Sequence, residues 1–133
     1  MNKRTNSSTA DSLLFNDVPD ALEEIKRKGH FISFASNNKL SAVLELVRLF
    51  KIDSYFVYPQ ADLFRTTKSD KIMRIVQALR RNGHKILRVI FVDDWESNCE
   101  EVQTALADVF KELHVLQMGV DIKRILEVLN YLN

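Results

Sequence analysis

Apolar residues in this chain keep switching between two spacings, short continuous runs and a three-to-four-residue repeat. Few folds tolerate that alternation, because a continuous run suits a strand buried on both faces and the repeat suits one side of a helix. Asp17-Val18-Pro19-Asp20 carries an Asx cap and an early Pro, so a helix is expected to start there and to end at Gly29. His30 to Ala35 then reads as a strand, and Leu40, Val43, Leu44 and Val47 as one face of a helix. Tyr55-Phe56-Val57-Tyr58 reads as a brief aromatic strand stopped by Pro59. Ser69 is the expected cap of a helix carrying Ile72, Ile75, Val76 and Leu79 inward, with Gly83 beyond its end. Leu87 to Val92 is the clearest strand, and a helix from about Glu96 to Ala107 should bury Cys99, Val102 and Leu106. Leu113 to Met118 reads as another strand, Gly119 as a turn, and Ile122, Ile125, Leu126 and Leu129 as a last amphipathic helix. Repeated crossovers of this kind imply an α/β domain with a mainly parallel sheet and helices on both faces. The first twelve residues hold almost nothing to bury and are expected to form a flexible polar tail, leaving residues 13–133 as one domain.

Charge removes some classes of partner. Lys and Arg total 19 against 18 Asp and Glu, a net charge of +1 over 133 residues, which gives no bulk attraction to nucleic acid. Lys26-Arg27-Lys28 and Arg80-Arg81 fall at expected helix ends, where the dipole favours cations. One Cys excludes a disulfide framework. With no long apolar run, a cytoplasmic protein without membrane association is the expectation.

In parallel α/β sheets ligands gather at the carboxyl ends of the strands. Ser36-Asn37 follows the first run, Asp93-Asp94 follows Val92, and Lys68 and Lys71 stand at the start of a helix. A hydroxyl, helix-start amides and a lysine can hold phosphate oxygens, and paired carboxylates suit Mg²⁺, a hard cation. Taken singly, Ser36-Asn37 and Asp93-Asp94 also serve as helix caps, and Lys71 as a solvated helix residue. Their order and spacing favour a joint site.

At these residues the chain resembles the haloacid dehalogenase superfamily of phosphohydrolases, and looks most like its magnesium-dependent acid phosphatase branch, archaeal-type members included. Phe31 to Asn37 is similar to the second family motif, Ser69-Asp70-Lys71 to the third, and Ile90 to Asp94 to the fourth. Leu14 to Pro19 looks like the segment before the helix preceding the second motif. The resemblance implies a Rossmann-like, three-layer domain without a large cap. It also implies Ser36 and Asn37 as phosphoryl ligands, Lys71 as phosphate partner with Lys68 as the fallback, and Asp94 with Asp93 as Mg²⁺ ligands. Asn98 would orient the acidic loop.

One part of the family pattern is missing. The first motif, an apolar strand ending in Asp-x-Asp that supplies the nucleophile, has no counterpart; before Ser36 only Asp11, Asp17 and Asp20 occur, and none follows such a strand. Three explanations stay open: a chain whose first motif lies upstream, a degenerate relative, or a strand supplied by another segment or chain. The expected activity is therefore a phosphate monoester hydrolase that is impaired as it stands. The alternative is a non-catalytic domain binding phosphate, Mg²⁺ or a protein. A phosphorylated small molecule or a phosphoprotein is the expected ligand, and an unpaired sheet edge would favour a homodimer.

Overall fold

The computed structural model describes residues 17–132. The expected polar tail and the apolar residues Leu13, Leu14 and Phe15 lie outside that range. Helix α1 covers residues 17–27, and Gly29 ends it at φ 88, a left-handed value that suits glycine after a helix. Strand β1 (Ala35–Ser36), helix α2 (Leu40–Leu49), strand β2 (Gln60–Ala61) and helix α3 (Lys68–Arg81) follow. Strand β3 (Arg88–Asp93), helix α4 (Glu96–Leu106) and strand β4 (Glu112–Gln117) complete the alternation. Short 3-10 turns occupy Asp53–Tyr55 and Ile125–Tyr131.

Among the described residues every ladder is parallel, as the crossovers require, and the strands form two separate pairs instead of one sheet. β1 pairs with β2 through Ala35↔Gln60 and Ser36↔Ala61. β3 pairs with β4 from Arg88↔Glu112 to Asp93↔Gln117. The expectation of a mainly parallel sheet therefore holds in direction and fails in continuity: β1 and β3 share no ladder.

The β3–β4 pair is covered on both faces. Phe91 packs with Ile72 and Val76 of α3, Val102 and Leu106 of α4, and Phe110. On the opposite face Ile90, Val92 and Leu116 meet Ile25 of α1, Ile122 and Val128. Alternation along the strand dictates this division. A third cluster holds Leu22 of α1 with Val47 of α2, Ile52, Phe34 and Phe56. Helix α1 thus sends Leu22 to the β1–β2 side and Ile25 to the β3–β4 side. All the residues expected to face inward on α3 and α4, including Cys99, are buried.

Three local expectations are corrected. The aromatic strand at Tyr55–Tyr58 is only a bridge, Ile32↔Phe56, and the ladder resumes beyond Pro59 instead of stopping there. From Phe56 to Gln60 the backbone has one more residue than from Ile32 to Ala35 between those contacts, and Tyr58 takes φ 49 to absorb it. Amides on either side of the proline supply the bonds, Val57 to Ile32 at 2.8 Å and Gln60 to Phe34 at 3.0 Å. Ser69 is not the cap of α3; Thr67 is, in a capping box with Asp70. The last amphipathic helix is a 3-10 turn in which Val128 is buried and Leu126 is exposed. Among the described residues, no helix is long and apolar enough to cross a membrane.

Candidate functional site

Thr67 fixes where α3 begins. Its hydroxyl accepts from the Asp70 amide at 3.1 Å, while the Asp70 carboxylate accepts from the Thr67 amide at 3.3 Å. A second carboxylate reinforces this helix start: Glu101 of α4 accepts from the Ser69 amide at 2.9 Å and from its hydroxyl at 2.5 Å. With the start pinned, the side chains of Lys68 and Lys71 reach the carboxyl ends of β1 and β3.

Lys68 Nζ donates to the Ala35 carbonyl at 2.5 Å and lies 3.2 Å from Asp93 Oδ2. It therefore joins the ends of the two strand pairs. An ammonium has three protons, so these two acceptors leave one for a ligand. Lys71 is more completely used. It is fully buried, at 0 % exposure, and meets Asn37 Oδ1 at 3.0 Å, the Thr66 carbonyl at 2.7 Å and Asp62 Oδ1 at 3.0 Å. Three acceptors consume its three protons.

Asp93 is held by Lys68 on Oδ2, by the Trp95 amide on Oδ1 at 2.8 Å, and by Asn98 Nδ2 at 3.3–3.4 Å. Asn98 thus reaches the Asp93 carboxylate at the start of the acidic loop. Asp94 is exposed, and its carbonyl accepts from Gln117 at 3.5 Å. Ser36 Oγ accepts from the Asn38 amide at 3.1 Å, which leaves its own proton to donate. With Asn37 Oδ1 turned to Lys71, the Asn37 Nδ2 protons remain as donors. The structure accordingly brings Ser36, Asn37, Lys68, Lys71, Asp93 and Asn98 to one end of the molecule, with Asp94 at its exposed side.

Two residues of this site carry no motif. Glu101 is one, and Asp62 is the other. Asp62 follows β2 and accepts from the Thr66 hydroxyl at 2.5 Å and from the amides of Arg65 and Thr66; Lys71 and Arg74 add ion pairs at 3.0 and 3.6 Å. The Thr66 hydroxyl bond, followed by the Lys71 bond and charge, outweighs desolvation and pulls the Asp62 carboxyl down to about 2. Their only sequence signal was position, Asp62 just past a strand and Glu101 one turn past Asn98. The tight loop that Asp62 organises puts Leu63 at φ 52 and Phe64 at φ 63. Left-handed backbone costs a bulky residue about 1–2 kcal/mol.

Asp93 and Asp94 supply the hard oxygens Mg²⁺ prefers. Among the described residues no group of three or more His, Cys, Asp or Glu is placed to hold a metal. Cys99 takes no part: burial pushes its thiol up, away from the reactive thiolate.

No protein-family model, curated protein or solved structure matches this chain.

Proposed function

We propose that the chain is a haloacid-dehalogenase-like phosphate-handling domain, of the Mg²⁺-dependent phosphatase type, that binds a phosphate monoester but hydrolyses it poorly because it lacks a nucleophile. The observation that carries this is the position of Lys68 Nζ, between the Ala35 carbonyl and Asp93 with one proton to spare. We assign the phosphate contact to Lys68 in preference to Lys71, whose protons are all engaged. Ser36 Oγ–H and Asn37 Nδ2 add donors from the β1 side.

Charge balance supports a divalent partner. The cations Lys68, Lys71 and Arg74 stand against four carboxylates, Asp62, Asp93, Asp94 and Glu101, so the site as built has no surplus for a phosphate dianion. Mg²⁺ held at the exposed Asp94, with Asp93 beside it, would supply that charge and polarise a phosphoryl oxygen. Lys71 and Asp62 act as positioning residues, holding Asn37 and the loop after β2. Among the described residues, Asp62 and Asp93 have both carboxylate oxygens engaged, which leaves neither as a free attacking group.

Titration calorimetry with inorganic phosphate, with and without Mg²⁺, is the test. Phosphate should bind only weakly without Mg²⁺ and at least tenfold tighter with it, and Lys68→Met should abolish that binding. Hydrolysis of p-nitrophenyl phosphate should stay near background. Robust turnover lost in Asp94→Asn would show a competent enzyme, and no heat with either ligand would remove the phosphate site altogether.

A further inference from the structure

Among the described residues β4 pairs with β3 alone, so its other side is a sheet edge. The ladder decides which of its backbone groups are used. The Glu112 amide bonds to the Leu87 carbonyl and the Met118 amide to that of Asp93. Even-numbered residues of β4 therefore face β3, and Leu113, Val115 and Gln117 face away from it. Gln117 is satisfied locally: its amide donates to Asp121 Oδ2 at 2.7 Å, and its carbonyl accepts from the Val120 and Asp121 amides. No such closure serves Leu113 and Val115, whose outward N–H and C=O groups have no partner among the described residues. A row of open backbone groups is a template for another strand.

A groove of about 360 Å³ lies beside that edge, lined by Val115 and Gln117 of β4, Glu96 and Glu100 of α4, and Asp121 of the turn that follows β4. Its three carboxylates are uncompensated. Glu96 and Glu100 make no ion pair or side-chain hydrogen bond among the described residues, and Asp121 spends one oxygen on the Gln117 amide. Lys123, the nearest cation along the chain, is turned to the Gly119 carbonyl at 2.6 Å. The groove is separate from the phosphate site proposed above. Helix α4 sends Asn98 to Asp93 and Glu101 to Ser69, and presents Glu96 and Glu100 on another flank.

We infer that β4 takes an added strand from a partner polypeptide, an extended segment with Lys or Arg at alternate positions. Its main chain pairs with Leu113 and Val115, and its basic side chains enter the acidic groove. The open backbone calls for a polypeptide, since an extended chain offers N–H and C=O groups at the spacing of a ladder. Charge selects which one. Alternate residues of an added strand share a face and lie about 7 Å apart, so those on the α4 face come opposite Val115 and Gln117, where the carboxylates stand. A second copy of β4 is a poor match. Laid antiparallel on this edge, it would bring its own Glu96, Glu100 and Asp121 to the same groove, and like charges set opposite each other are destabilising.

The test titrates the full chain with a fluorescently labelled Lys-Val-Lys-Val-Lys-amide peptide, a version with Glu in place of Lys, and a version of the basic peptide with its internal amides N-methylated. The basic peptide should bind at least tenfold tighter than either of the others. In its complex, amide exchange at Leu113 and Val115 should slow at least tenfold, while His114 and Leu116, already in the ladder with β3, change little. Glu96→Gln/Glu100→Gln should weaken the basic peptide about fivefold and leave the binding of inorganic phosphate with Mg²⁺ unchanged. Equal binding of the basic and N-methylated peptides, or unchanged exchange at Leu113 and Val115, would overturn the added strand. Equal binding of the basic and Glu peptides, or full affinity in the double variant, would overturn the acidic groove as the selector. A dimer in light scattering that already protects Leu113 and Val115 would give the edge to a second copy and overturn the partner named here.

Discussion

Lys68 Nζ sits 3.2 Å from Asp93 Oδ2, with both side chains nearly buried, and the same nitrogen holds the Ala35 carbonyl. One ammonium thus ties the carboxyl end of β3 to that of β1. Removing one member of a buried ion pair leaves an unpaired charge and costs about 3–5 kcal/mol. Lys68→Met should lower stability by about 3 kcal/mol in urea unfolding. Lys68→Met/Asp93→Asn together should cost less than the sum of the single changes. Additive costs would mean that the pair is not coupled.

Acid should expose the contribution of Asp62. Thr66 and Lys71 hold its folded-state value near 2, below the ordinary 3.8. A depressed carboxyl stabilises the fold fully above its unfolded value, and that stabilisation disappears as pH falls through the folded one. The stability gap between wild type and Asp62→Asn should therefore be constant above about pH 5 and shrink between about pH 4 and pH 2. Denaturant melts across that range measure it, and a gap independent of pH would contradict the assignment.

Thr67, not Ser69, caps α3, and the two substitutions should differ in kind. Thr67→Ala should cost about 1 kcal/mol and lower the melting temperature by roughly 3–5 °C. Ser69→Ala removes the hydroxyl contacts to Glu101 and to the Thr67 hydroxyl, while the other Glu101 oxygen still accepts from the Ser69 amide and the Thr67 hydroxyl still accepts from the Asp70 amide. Their loss should show as added mobility of α4 relative to α3 in amide relaxation, with capping intact.

The C-terminal turn offers a direct check on packing. Leu106→Ala, inside the cluster of Phe91 and Val102, should cost about 3 kcal/mol. Leu126→Ala should stay within about 0.5 kcal/mol, because Leu126 lies exposed on the 3-10 turn. Thermal or urea melts of the two variants separate them.

These contrasts show what was legible in the residues. β3 and α4 could be read because a continuous apolar run and a Cys99–Val102–Leu106 stripe each fit one period. Spacing misjudged the C-terminal segment, since Ile122, Ile125, Leu126 and Leu129 satisfy a helical repeat, whereas the structure buries Ile122 and Val128. The aromatic stretch misled for a different reason. Its pairing depends on an extra residue absorbed at Tyr58, a conformation no propensity scale reports. At the candidate site, strand-end position picked out Ser36, Asn37, Asp93 and Asp94, and the start of a helix Lys68 and Lys71. Position could not rank the two lysines, because their difference lies in Asp62, which pairs with Lys71 and stands outside every motif.

The split between the strand pairs bears on how the molecule breathes. β1 and β2 are joined by two register pairs and β3 and β4 by six, so the former is the weaker cooperative unit and the first to open. Ser36 and Asn37 travel with it, while Asp93 stays behind. Opening along that seam would part the two sides of the proposed phosphate site without unfolding the larger half. A ligand that bridges Ser36 and Lys68 would act as a suture, and amide exchange in β1 should slow on its binding far more than in β3.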